Sequence, residues 1–352
     1  MKHLFGHTHP FRIFAFSIIA TLGTLIAVLL GMGWGALGVT LLLMVIELSF
    51  SFDNAIINAK VLATMSKRWQ MIFLTVGILI AIFGMRVIFP VLIVAFGAHL
   101  SFGEVIDLAL HHPHEYAEKL EATHPIIASF GGAFLLMLSL QFFFDRKRDV
   151  HWFSRLERFL QRLQRRGLAS VITLATVVLL AFLPANPHTM ETLEAGVLGV
   201  VVFVAIHAMV DALESVQQKR EGAKKDRAKK VQLRTGWAAF STFMYLEILD
   251  ASFSFDGVLG AFAVTTSVVL IAAGLGIGAI WVRSLTVFMV RRGTLETYKF
   301  LEHGAHYTIV ILAASLLLSI FLEVPEVIAG LAGIVFIGGS IIASRRVLAA
   351  KA

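Results

Sequence analysis

The chain has 352 residues, of which 58% are hydrophobic and only 15% charged, with a mean hydropathy of +0.83 and no cysteine. Soluble domains carry roughly a quarter of their residues as Asp, Glu, Lys or Arg, so this composition is a membrane protein's. The lack of cysteine excludes disulfides, thiol nucleophiles, iron–sulfur clusters and thiolate metal sites. The net charge of +7 is a question of membrane sidedness, not of nucleic-acid binding.

A helix needs about 20 largely apolar residues to cross the hydrocarbon core. Ten such runs are predicted, at about 13–31, 34–59, 70–98, 125–144, 168–185, 192–214, 236–262, 266–290, 306–322 and 326–344. The first is too long for a signal peptide, and Gly31-Met32-Gly33-Trp34 offers no small-x-small cleavage site. Basic residues collect on the cytoplasmic side of membrane proteins. In a ten-span arrangement every Lys and Arg falls on one side except Lys119, Arg86 and Arg283, which predicts that both termini are cytoplasmic. The opposite loops carry acids instead, Glu104, Asp107, Glu115, Glu118 and Glu121 in the third, Glu191 in the fifth and Glu323 and Glu326 in the ninth.

Within the first half, residues 1–214, the basic segment 145–166 reads as an amphipathic helix on the inner leaflet. Trp152, Phe153, Leu156, Phe159, Leu160 and Leu163 oppose Arg155, Arg158, Arg162 and Arg166. Residues 215–235 read as a flexible basic linker into span 7, and 236–352 supplies the second half. Both basic loops are also places where a cytoplasmic partner would dock.

One internal repeat stands out. Ser49-Phe50-Ser51-Phe52-Asp53 recurs as Ser252-Phe253-Ser254-Phe255-Asp256, with an acid six residues upstream of each aspartate, Glu47 and Asp250. The following span of each half holds a lone arginine, Arg86 or Arg283. Span 2 enters from outside and span 7 from the cytoplasm, so equivalent motifs lie antiparallel. The fold class expected is therefore an all-α polytopic membrane protein of about ten helices in two inverted five-helix repeats, an arrangement typical of transporters.

The repeated element is the costly one. Each ionisable group in mid-span carries a penalty of about 2.5–3.5 kcal/mol, so Glu47, Asp53, Glu247, Asp250, Asp256, Arg86 and Arg283 must face one another, water or a cation. On ideal helices Glu47, Ser51, Asn54 and Asn58 form one polar stripe, and Glu247, Asp250, Ser254 and Gly257 form another. Asp53 and Asp256 lie about a third of a turn off these stripes, which calls for local unwinding at Ser-Phe-Ser-Phe or for a second partner. Five carboxylates against two arginines leave an excess of negative charge. Carboxylate, hydroxyl and amide oxygens suit Mn²⁺, Mg²⁺ or Ca²⁺, and raised carboxylate pKa values would add a proton relay. The plain alternative is that acids and arginines only staple helices together.

Other groups are weaker pointers. His207, Asp211 and Glu214 share a face near the cytoplasmic end of span 6. His111, His112, His114 and Glu115 cluster in the third loop, and Glu302, His303 and His306 open span 9. Gly131-Gly132 and Gly338-Gly339 read as close-packing points. No phosphate loop, nucleophile elbow or His-Glu-x-x-His is present, so no enzymatic activity and no tightly bound cofactor are expected.

At the charged motifs the sequence resembles the TerC family of integral membrane proteins, named for tellurium resistance and including bacterial manganese exporters. The matching residues are Glu47-Leu48-Ser49 through Asp53-Asn54-Ala55, then Glu247-Ile248-Leu249-Asp250 with Phe253-Ser254-Phe255-Asp256, and the run Gly131-Gly132-Ala133-Phe134-Leu135-Leu136. Gly257 stands where the second motif usually has Ser. The resemblance implies divalent-metal efflux, Mn²⁺ first, with Glu47, Asp53, Asn54, Glu247, Asp250 and Asp256 as ligands and Arg86, Arg283, Ser51 and Ser254 in support. Two other readings stand beside it: a scaffold of a metal- or tellurite-stress complex without transport, and an exporter of a small organic solute.

Overall fold

The computed structural model of the protein describes residues 10–98, 100–222, 233–325 and 327–350. Within them the backbone is helical and forms no named strand. This is the economy a bilayer imposes, because a helix satisfies its own N–H and C=O groups where no water reaches.

The first helix, α1 (Pro10–Phe50), contains Gly33 at φ 82°, ψ −174°. A straight helix would hold Ser17 and Glu47 about 45 Å apart. Instead Ser17 Oγ lies 2.7 Å from Ser284 Oγ, and Glu47 packs on Gly278, six residues away on a single helix. The chain therefore reverses at Gly33, and the positive φ explains why a glycine stands there. The two expected runs 13–31 and 34–59 are the arms of this hairpin, the second continued by α2 (Phe52–Ala63) after a turn at Ser51.

Next, α3 (Lys67–Leu79) passes into a π-helical stretch, Ile80–Ile88, and then α4 (Phe89–Gly97). The acidic third loop forms two short helices, α5 (Phe102–His111) and α6 (Pro113–Ala122). Ser101 and Glu104 cap α5 reciprocally, and these hydrogen bonds hold the Glu104 carboxyl below its usual value. The chain continues through α7 (His124–Phe144), α8 (Ser154–Arg162), α9 (Leu168–Ala181) and α10 (Thr189–Gly222). The second part comprises α11 (Gly236–Val264), α12 (Val268–Arg292), the single turn α13 (Thr294–Thr297), α14 (Leu301–Ser319) and α15 (Val327–Ala349). Among the described residues seven helices are long and apolar enough to cross a membrane, α1 counting once. The chain is a multi-pass membrane protein.

Helices α7, α12 and α14 are largely buried, while α1 and α15 turn most of their apolar surface outward. Small residues permit the closest approaches. A Cβ at Gly132 would meet the Leu317 side chain of α14 at 2.7 Å, and one at Gly199 would meet the Phe130 carbonyl oxygen of α7 at 2.5 Å. The Gly338-Gly339 pair is different from the expectation: Gly338 faces open space, and Gly339 receives the Trp152 ring.

Two loops also depart from the sequence reading. The 215–235 linker is shorter than expected, because α10 continues helical to Gly222. At its far end Arg234 is bridged to Met65, with Arg234 N donating to Thr64 O at 2.8 Å. The rest of it, 223–232, lies outside the described residues. Segment 145–166 is pinned to α14 as well as presenting an apolar face, for a reason given by its one buried acid. Glu157, turned inward and fully buried, accepts from Phe153 N at 3.2 Å and from the Tyr307 hydroxyl at 3.1 Å.

Candidate functional site

The polar stripe expected on span 2 forms, but its geometry depends on Ser51. That residue leaves helical geometry (φ −95°, ψ 14°), while Ser51 N still donates to Glu47 O at 2.9 Å and Ala55 N to Ser51 O at 3.1 Å. The result is a kink that begins α2, with Asp53 in its first turn. The equivalent stretch of α11 runs straight through Ser252–Asp256. Unwinding thus occurs in the first motif only.

Two arginine clusters flank this kink. The Arg86 guanidinium donates to Glu47 Oε1 and, at 2.6 Å, to the Ala81 carbonyl five residues back along the π-helical turn. Ser51 Oγ adds a bond to Glu47 at 3.1 Å. In the other cluster Arg283 reaches both oxygens of Glu247 at 3.0 Å and Asp250 Oδ2 at 3.0 Å. Its guanidinium lies 4.3 Å from the centre of the Phe73 ring. Asn54 joins the clusters, donating from Nδ2 to Asp250 Oδ1 at 2.7 Å. All of these charged groups are 6% exposed or less, which is why each needs its partner.

Each paired glutamate also rests on a glycine of a helix from the other half of the chain. A Cβ at Gly278 of α12 would come 2.6 Å from Glu47 Cβ, and one at Gly77 of α3 would come 2.9 Å from Glu247 Oε1. Neither glycine was singled out in the sequence. The run Gly274-Leu275-Gly276-Ile277-Gly278 is the signal that marks one of them.

Asp53 stands apart. It is 2% exposed, and among the described residues no cationic side chain pairs with it. Its Oδ1 accepts from Asn54 N at 2.9 Å. It lines a cavity of about 40 Å³, enough for a water or a small ion. Glu47, Ser51 and Asp53 form one wall, Phe253 and Gly257 of the second motif another, and Thr308 of α14 also lines it, its hydroxyl donating to the Gly304 carbonyl at 3.1 Å. A Cβ at Gly257 would stand 3.3 Å from Glu47 Oε2, so the missing side chain leaves one oxygen of that carboxylate open toward the cavity. Nearby on α2, Asn54 Oδ1 and Asn58 Oδ1 are buried acceptors without a donor.

The six expected ligands therefore separate. Glu47 and Asp53 share the cavity, Glu247 and Asp250 are occupied by Arg283, and Asn54 bridges to Asp250. Ser254 is buried on α11. The side chain of Asp256 lies outside the described residues. Among those described, no three His, Asp or Glu side chains group as a metal-holding set.

Several of the histidines singled out in the sequence have protein partners. His207 Nδ1 lies 2.9 Å from the Phe203 carbonyl and its ring stacks on Phe203. His111 and Asp107 form an exposed pair, 2.8 Å apart. Glu302 pairs with Lys60, His303 donates to Val150 O at 2.9 Å, and His306 stacks on Phe142 with ring centres 3.6 Å apart. The side chain of Glu214 lies outside the described residues.

Fold and site together define an all-helical, multi-pass membrane protein with ion-paired carboxylates buried between its helices. The chain belongs to the family described as "Protein of unknown function (DUF475)", whose model matches residues 52–350. No curated protein and no solved structure matches the chain.

Proposed function

We propose that this protein is a transporter that carries a divalent cation, manganese before others, out of the cell in exchange for protons. The observation that carries the reading is Asp53, a buried carboxylate with no cationic partner among the described residues, on the wall of a small cavity shared with Glu47. A carboxylate held at that depth without compensation is expensive, and a transient cation is the partner that removes the cost. Four described intramembrane carboxylates, Glu47, Asp53, Glu247 and Asp250, face two guanidinium groups, Arg86 and Arg283, so full ionisation leaves two negative charges. That excess suits a divalent ion, and the Ser51 hydroxyl is a hard ligand of the kind manganese accepts.

In this reading ten spans form two inverted five-helix repeats with both termini in the cytoplasm. The matching pairs Glu47–Arg86 and Asp250–Arg283 support the repeat, as does the reciprocal packing of each glutamate on a glycine of the other half. Cation exchange occurs at Glu47 and Asp53, while Arg283 holds Glu247 and Asp250 as the rigid counterpart. The resemblance to TerC proteins, which include manganese exporters, supports the ion and the direction.

The test is elemental analysis of cells producing wild type or Asp53→Asn under Mn²⁺, Mg²⁺, Ca²⁺, Zn²⁺ or tellurite challenge. Wild type alone should lower cell manganese. Unchanged metal content, with both proteins inserted and folded, would overturn export and leave the scaffold reading, in which deleting 217–234 disrupts partner binding.

A further inference from the structure

Helix α8 is three-sided. At about 100° per residue, Arg155, Arg158 and Arg162 fall within one arc, and Leu156, Phe159 and Leu163 fall in the next. Glu157 and Gln161 take the third, where Glu157 is fully buried and Gln161 Nε2 donates to the Asp145 and Arg148 carbonyls at 3.0 and 3.1 Å. Arg146 reinforces this side, reaching the Gln164 carbonyl at 3.0 Å. The third arc is thus spent on holding the helix to the protein.

Among the described residues the other two arcs are left largely uncovered. Leu156 is 48% exposed and Phe159 56% exposed. The three arginines are exposed, with Arg165 and Arg166 beside them, and no carboxylate pairs with any of the five among the described residues. The only acid between residues 150 and 166 is Glu157, and it points the other way. An apolar arc beside an uncompensated guanidinium arc, at the end of α7 where the chain leaves the apolar core, fits an acyl-chain boundary below a layer of negative headgroups.

We propose that α8 is a binding site for anionic phospholipid headgroups, with Arg155, Arg158 and Arg162 taking the phosphates and Leu156, Phe159 and Leu163 seated in the acyl region. Guanidinium forks bind phosphate oxygens in pairs, which an ammonium does not do. The bond between Glu157 and Tyr307 fastens the helix to α14 with these two arcs turned away from the protein. The site is independent of which solute the protein carries.

The experiment uses the full chain in detergent, with thermal unfolding and native mass spectrometry in the presence of phosphatidylglycerol, phosphatidylcholine or inorganic phosphate. Phosphatidylglycerol should raise the unfolding temperature of wild type and remain bound, whereas phosphatidylcholine and phosphate should not. Each arginine removed should weaken retention about five-fold, so R155Q/R158Q/R162Q should lose it while unfolding like wild type in phosphatidylcholine. The charge-retaining R155K/R158K/R162K keeps part of the effect and controls for folding. Equal stabilisation of wild type by both lipids, equal retention by wild type and the Gln variant, or an equal effect of phosphate would overturn the proposal.

Discussion

Replacing Asp53 by Asn removes one charge and almost nothing else. The side chains are isosteric, and an Asn oxygen can still accept from Asn54 N, the bond now 2.9 Å long. Against this, the variant loses the interaction of a negative side chain with the N-terminal turn of α2, worth about 0.3–1 kcal/mol. It also weakens a charge-assisted hydrogen bond by about 1 kcal/mol. Relief of an uncompensated buried charge returns about 2.5–3.5 kcal/mol on the insertion scale. The net expectation is a protein as stable as wild type or up to about 2 kcal/mol more stable, but unable to alter cell manganese. Reversible unfolding in mixed detergent–SDS micelles, read alongside metal content, measures both. A loss of about 3 kcal/mol or more, the signature of breaking a buried ion pair, would show that Asp53 holds the fold together and would refute the reasoning.

Arg283→Gln should behave in the opposite way. It strands two carboxylates now bonded at 3.0 Å, and the same unfolding assay should show a loss of about 3–5 kcal/mol. Gly278→Ala drives a methyl to within 2.6 Å of Glu47 Cβ and 3.2 Å of the Met44 carbonyl, so α1 and α12 must separate, costing about 1–3 kcal/mol in that assay. Glu157 gives a pH prediction. Burial raises its carboxyl pKa, but His303, the Phe153 amide and Arg148 outweigh this and leave it below the usual 4.5. Its pinning of segment 145–166 is then complete above about pH 4.5 and fades as pH falls toward the folded value. At matched pH, which cancels the protease's own pH dependence, pepsin should cut that segment more slowly in wild type than in Glu157→Gln near pH 4.5, and the difference should close as pH falls.

Much of this was readable in advance because bilayers constrain sequence strongly. Runs such as 125–144 and 236–262 became α7 and α11 within a residue or two at each end, and the fourth and sixth loops carried their basic residues in blocks. The charged residues were equally visible, since Glu47, Arg86, Asp250 and Arg283 interrupt otherwise apolar stretches. What could not be read was the partner of each. Helical periodicity orders residues around one axis, but pairing depends on how two axes cross. Asp250 lies on the same stripe as Glu247, yet also bonds Asn54, 196 residues earlier. The two motifs match in sequence, but only the first kinks, at Ser51.

The sequence by itself determined that the chain is helical, that it lies in a membrane and which ionisable groups must be buried there. Those properties follow from transfer free energies, which are sums over residues along the chain. Tertiary structure alone decided that Glu47, Glu247 and Asp250 are bound by arginines while Asp53 is left facing a cavity. It also decided that Gly77 and Gly278 make room for the paired glutamates. These outcomes rest on distances between helices, and a few ångströms there separate a charge that is compensated from one that is not.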